Sequence, residues 1–168
     1  MRINRANLSS ALALTGVFFV ATAHSEEPAA LPEKIVAART AYLEAATANQ
    51  QPKTANPMSE ATDNKPVAQA ELAKAVRKWG RFEIIEEVSN ADLVLVVVEW
   101  EDHHRWGNTI VCRDQLFVFD GGSLPSEKST PLWKGDPKKW GKFGGCSGAG
   151  EPVKEFSKLV DKAAKASR

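Results

Sequence analysis

Residues Pro66 to Trp100 read PVAQAELAKAVRKW-G-RFEIIEEVSNAD-LVLVVVEW, and this stretch decides the fold. Its first part is an amphipathic helix. Ala68, Leu72, Val76 and Trp79 recur at spacings of four, four and three, while Glu71, Lys74, Arg77 and Lys78 fill the opposite side. Pro66 suits the first helical turn, and Gly80 suits the position just past the last. Phe82, Ile84 and Ile85 then read as a strand with glutamates on its wetter face. Leu93 to Val98 is six consecutive aliphatic residues, four of them β-branched. The run is short and valine-rich, which favours a strand over a buried helix. Being apolar on both faces, it belongs in the middle of a sheet covered by helices or by other layers.

Upstream of this stretch, Ala48 to Lys65 is polar, with Pro52 and Pro57, and reads as a flexible loop. Ile35 to Ala46 is ambiguous. Its alanine content and the spacing of Ile35, Ala38, Tyr42 and Ala45 suit a helix. A central apolar strand needs a parallel neighbour supplied through a helical crossover, and this assigns a strand to residues 39–45. Downstream, Trp100 to Arg113 reads as a polar hairpin with Gly107-Asn108 at its tip. Gln115 to Asp120 is a second strand apolar on both sides, and Pro131 to Lys134 is a short one carrying Trp133. Asp136 to Gly150 is a Gly- and Lys-rich loop. Val153, Phe156, Leu159, Val160 and Ala163 then stripe a closing helix. The expectation is one α/β (α+β) domain over residues 39–166, a mixed sheet of about four to five strands packed with two helices in the order β-α-β-β-β-β-α.

The N-terminus has the pattern of a secretory signal peptide. Arg2 and Arg5 precede an apolar stretch, Ala11 to Ala23, broken only by Thr15, Gly16 and Thr22, and small residues lead to Glu26. That stretch is short for a membrane span. Residues 1–25 are expected to be removed and 26–38 to form a leader, with the product exported to the periplasm or secreted and no membrane span left. About 143 of the 168 residues stay, enough for one domain with a core. Net charge is +1 with both signs interspersed, which gives nucleic acid no basic surface. In an oxidising compartment an even cysteine count points to a Cys112–Cys146 disulfide. Closing that loop of about 35 residues stabilises by roughly 3.5–4 kcal/mol in the chain-entropy model.

The Lys78-Trp79-Gly80-Arg81-Phe82 corner is followed by Ala91-Asp92-Leu93-Val94-Leu95, then Leu116 to Asp120, then Pro131-Leu132-Trp133. This pattern resembles a group of small exported bacterial proteins of unknown function and, more distantly, the amino-terminal domain of TolB and related envelope lipoprotein domains. The resemblance covers about residues 39–162. It implies a mixed sheet flanked by helices and brings no catalytic residues with it. Within it, Gly80 ends the helix in a left-handed cap, and Asp92 opens the central strand by accepting backbone hydrogen bonds from the preceding turn.

Candidate chemistry centres on Glu99-Trp100-Glu101-Asp102-His103-His104. On a strand, Glu99, Glu101 and His103 share one face. Glu101 and His103 lie about 6.5–7 Å apart and suit a single metal ion, with a further ligand needed from elsewhere. The same pair could act as acid and base in a hydrolase, but no nucleophile motif accompanies it, so no catalytic residue is assigned. Trp106 and Trp140 are candidate platforms for an amphipathic ligand such as a sugar ring, while Trp100 and Trp133 read as core. The Gly144 to Gly150 run lacks the Gly-Lys-Ser/Thr ending of a phosphate loop. The sequence thus points to a non-enzymatic envelope module without a cofactor. Its partner would be an envelope protein or surface component, bound through an open sheet edge or the Trp-bearing loops. It is silent on oligomeric state.

Overall fold

The computed structural model describes residues 31–48, 61–64, 66–103, 110–126, 128–140 and 149–167. Its elements are α1 (Glu33–Ala37), β1 (Thr40–Ala48), β2 (Ala61–Asn64), α2 (Pro66–Trp79), β3 (Glu83–Ile84), β4 (Leu93–His103), β5 (Ile110–Asp120), β6 (Trp133–Lys134), β7 (Lys138–Trp140) and α3 (Gly150–Ala166). They form a single mixed α/β domain. The sheet runs β2-β1-β4-β5-β6, with β3 added beside β1 and β7 beside β5.

The valine-rich ribbon lies where its composition requires. β4 is central, parallel to β1 and antiparallel to β5, and Leu93 to Val98 have no exposed surface. The parallel pair is joined through α2, as a parallel connection demands. Residues 39–45 are accordingly extended, with β1 beginning at Thr40. Four points differ from the sequence reading. A third helix, α1, lies within the supposed leader and buries Ile35 completely. The supposed loop 48–65 contains β2, antiparallel to β1. Beyond the five-strand path β2-β1-β4-β5-β6, which matches the expected four to five, the short strands β3 and β7 pair beside β1 and β5 among the described residues. The order accordingly gains α1 at its start and β2 ahead of α2.

The three described α-helices lie on one face. Ile35 from α1, Leu72 and Val76 from α2, and Val153, Phe156 and Val160 from α3 cover Ala41, Leu43, Leu93, Leu95, Val97, Leu116 and Val118. The corner after α2 is built as expected: Gly80 has φ +73°, and its N–H donates to the Val76 carbonyl at 3.0 Å. The Arg81 guanidinium donates to the Val36 carbonyl, which ties the corner to α1. Exposed Lys34 pairs with Asp120 and ties α1 to the end of β5.

Asp92 is structural, but its donors lie at the start of β1 rather than in the preceding turn. Its Oδ2 accepts from the Arg39 and Thr40 N–H groups at 2.8 and 2.9 Å, and its own N–H donates to Thr40 Oγ1 at 2.9 Å. These bonds, Arg39's first and then Thr40's, hold the Asp92 carboxyl below its ordinary value. A lowered carboxyl contributes stability above its unfolded pKa, and that contribution is lost as pH falls through the folded value. Asp92→Ala is therefore expected to lower stability by about 1–2 kcal/mol at pH 7. Urea midpoints of the two proteins should converge as the pH is taken from about 5 down through the carboxylate range. A gap unchanged at pH 3 would contradict this account.

Candidate functional site

Past Val97 the helix-covered face of the sheet turns polar. Val97 pairs with Leu116, and one step further along the same face Glu99 pairs with Asp114. Both carboxylate residues are buried, at 1% and 0% exposure. The row extends on both sides: Thr47 of β1 aligns with Glu99, and Lys138 of β7 with Asp114. Half-buried Lys138 pairs with Glu155 of α3, and the Glu155 carboxylate, chiefly through this hydrogen bond, raises its pKa. Gln115, the next residue of β5, is buried and donates from Nε2 to the Gly135 carbonyl at 2.7 Å. Directly opposed carboxylates repel, and a proton or cation shared between them lowers that repulsion. This is the chemistry the row offers.

The residues singled out in the sequence lie around this row. Positions 101 and 103 of β4 continue the face that Glu99 occupies and pair with positions 112 and 110. Position 140 of β7 pairs with Cys112. The register thus brings Glu101, Cys112 and Trp140 to one level of the sheet, with His103 two residues further out on β4. The side chains of Glu101, His103 and Trp140 are not among those described, and Trp106 and Cys146 lie outside the described residues. Cys112 is 7% exposed, and the described residues contain no free thiol. Among the described residues no group of three or more His, Cys, Asp or Glu is placed to hold a metal ion. Asp114 and Lys138 were missed because they become neighbours of Glu99 only once the strand register is known. Trp100 is buried, and half-buried Trp133 packs on Phe156 with ring centroids 4.8 Å apart.

A second feature lies on the other side of the sheet. Ala46 and Ala48 of β1, Val94, Val96, Val98 and Trp100 of β4, and Phe117 and Phe119 of β5 form a separate apolar cluster. Phe117 and Phe119 stack 6.5 Å apart. All eight side chains are buried in the full chain. Among the described residues, the partly buried apolar side chains packed against them are Tyr42, which pairs with Val94, and Val88. The three described α-helices pack on the opposite face, while Val88 belongs to a 3-10 turn, Val88–Asn90, on this one.

The sheet edges offer less than the sequence reading allowed. Along the outer edge of β1, β3 occupies Thr40 and Ala41 and β2 occupies Ala46 to Ala48. In the gap between them the Leu43 carbonyl accepts from Gln69 Nε2 at 3.2 Å. A groove of about 490 Å³ runs between α2 and α3, floored by Ala75, Trp79 and Val153 and rimmed by Glu71, Lys74, Lys78 and Lys154. Intrahelical Glu71–Lys74 and Glu151–Lys154 pairs hold part of that rim charge.

No protein-family model and no curated protein matches the chain. Several solved structures do. Two are dodecamers of PelC from Paraburkholderia phytofirmans. One, a point variant, is 14% identical with TM-score 0.40, over 77% of this chain and 88% of that one. The other is 16% identical with TM-score 0.37, over 80% and 89%. Protein XCC0632 from Xanthomonas campestris, of the DUF330 family, is 9% identical with TM-score 0.33, over 77% and 81%. At these identities and scores none of them bears on the activity of this chain. No helix among the described residues is long and apolar enough to cross a membrane.

Proposed function

We propose that this protein is a non-enzymatic exported module that works in the cell envelope by contact with another protein surface. The observation that supports this reading is the second face of the sheet: eight apolar side chains over three strands, with none of the described α-helices across them. These side chains are buried in the full chain, and an apolar surface of that extent, wherever its cover is displaced, is one that another protein can engage. Export is supported by the charged, apolar and small-residue order of residues 1–25. It is supported too by the resemblance of the Lys78 to Phe82 corner and the Ala91 to Leu95 strand to exported proteins. In the same reading Cys112 and Cys146 form a disulfide, in keeping with the absence of free thiol among the described residues.

Chemical cross-linking in intact envelopes tests the reading. The expected result is a discrete adduct containing the chain, lost when Val96 or Phe117 is replaced by lysine. Recovery of the monomer alone, at cross-linker levels that trap known envelope complexes, would count against contact as the mode of action.

A further inference from the structure

We infer that the groove between α2 and α3 is a docking site for a partner protein segment that carries an apolar side chain flanked by carboxylates. The inference is independent of export and of the second face of the sheet. The groove is open in the full 168-residue chain. Its floor of Ala75, Trp79 and Val153 is buried or half-buried, whereas Lys74, Lys78 and Lys154 on its rim are exposed. The charges of the two helices are unevenly engaged. Glu71 and Glu151 pair with Lys74 and Lys154, three residues on, at 3.4 and 3.3 Å. Glu155 pairs with Lys138 of β7, and Asp161 accepts from the Trp79 indole N–H at 3.3 Å. Each acidic side chain of α2 and α3 thus has a partner. Arg77, Lys78, Lys158, Lys162 and Lys165 are exposed and make no ion pair among the described residues.

Charge and shape together define the occupant. Exposed pairs within one helix are weak, so an incoming carboxylate can take over Lys74 or Lys154 at little loss. The two helices therefore surround an apolar groove with surplus positive charge, and the complement of that surface is an apolar centre with an acidic margin. The lining runs from Glu71 to Trp79 on α2 and from Gly150 to Ser157 on α3. At 1.5 Å per residue this is about 10–12 Å, or two helical turns. That length accepts one or two anchor side chains of a segment laid into the groove, spaced as on a helix. A lipid surface fits less well. Helices that lie in a membrane push large apolar side chains outward, and neither α2 nor α3 has such a side chain exposed. Among the described residues the exposed large apolar side chain is Leu124, in the loop after β5. The groove is shaped to receive a side chain, not to insert one.

Fluorescence anisotropy of a labelled synthetic peptide, titrated with the purified protein, tests the inference. The probe is a helix-forming peptide of about 15 residues with leucines at i and i+4 between rows of glutamate, and its twin has lysine for every glutamate. At low salt the glutamate peptide is expected to bind at least about tenfold more tightly than the twin and to lose affinity as salt rises. Lys78→Glu with Lys154→Glu is expected to weaken binding at least about tenfold. Ser157→Trp fills the groove without changing its charge and is expected to weaken it to a similar degree. Lys162→Glu with Lys165→Glu, beyond the lining of the groove, is expected to leave binding within about threefold. Unchanged far-ultraviolet circular dichroism shows that each variant is folded. A glutamate peptide that binds no better than its twin overturns the inference. So does binding that falls equally on reversal of Lys162 and Lys165, which is attraction without a groove. Vesicles of phosphatidylglycerol that bind through Lys78 and Lys154 while the glutamate peptide does not would make lipid the occupant and overturn it as well.

Discussion

Gly121→Ala is expected to lower stability by about 3–5 kcal/mol, the largest loss from an added methyl group among the described glycines. A Cβ at Gly121 would lie 1.8 Å from the Ala91 carbonyl oxygen and 2.6 Å from the carbonyl carbons of Ala91 and Asp92. All three are backbone atoms, so no rotamer change relieves the clash. The backbone is also held from several directions. The Gly121 N–H donates to the Asp92 carbonyl at 3.0 Å and the Gly122 N–H to the Val88 carbonyl at 3.1 Å. Asp92 in turn holds the start of β1 through Arg39 and Thr40. Relief means moving the end of β5 away, breaking hydrogen bonds worth about 1 kcal/mol each and adding overpacking of about 1–3 kcal/mol. In thermal melts the midpoint should fall by on the order of 10 °C. Gly122→Ala is the control. Gly122 has φ +88°, but a Cβ there would meet nothing within 4 Å, so only the left-handed backbone is strained, at about 1 kcal/mol. A Gly121→Ala chain as stable as Gly122→Ala would show that the close approach is not there.

Phe156→Ala is the second large effect, expected at about 3–5 kcal/mol by denaturant titration. Phe156 has no exposed surface and is the largest of the fully buried side chains. Its ring meets Trp133 of β6 at 4.8 Å and Trp79 of α2 at 5.7 Å and 80°, while Trp79 meets Phe82 edge-on at 5.0 Å. One side chain on α3 thus joins the other main helix, the corner behind it and the short strand β6. Its removal takes away transfer free energy, opens a cavity and ends two aromatic contacts. Because the Trp79 indole N–H also donates to Asp161 at 3.3 Å, α3 stays tethered to α2. The variant should therefore fold with a changed tryptophan emission rather than lose α3. Phe156→Leu should recover about half of the loss. Equal losses for Leu and Ala would mean that ring geometry, rather than volume, dominates the site.

The central ribbon was legible from composition alone, because six aliphatic residues in a row have no solvated face to spare. β1 was legible only through topology: its alanines favour a helix, and the pairing with β4 overrides that preference. β2 was not legible. Ala61 to Asn64 carry no alternation, and they form a strand because β1 presents an edge to them. The Glu99–Asp114 pair was missed for a reason of register. A turn centred on Gly107-Asn108 sets Glu99 opposite Leu116, whereas β4 and β5 pair two residues away from that. Both registers keep the same residues on the same face, so the apolar pattern could not distinguish them. The gathering of the described α-helices on one face was invisible for a related reason, since the sequence shows that β4 and β5 need cover on both sides but not where the helices go.

The outer margin of β1 has a further consequence for how copies of this chain can meet. Two short strands sit at either end of that margin, and the Gln69 amide occupies a carbonyl between them. The opposite margin is made of segments two and three residues long. Neither border gives an incoming chain a long row of unused hydrogen-bonding groups, so lateral cross-β growth into fibres is obstructed from both flanks.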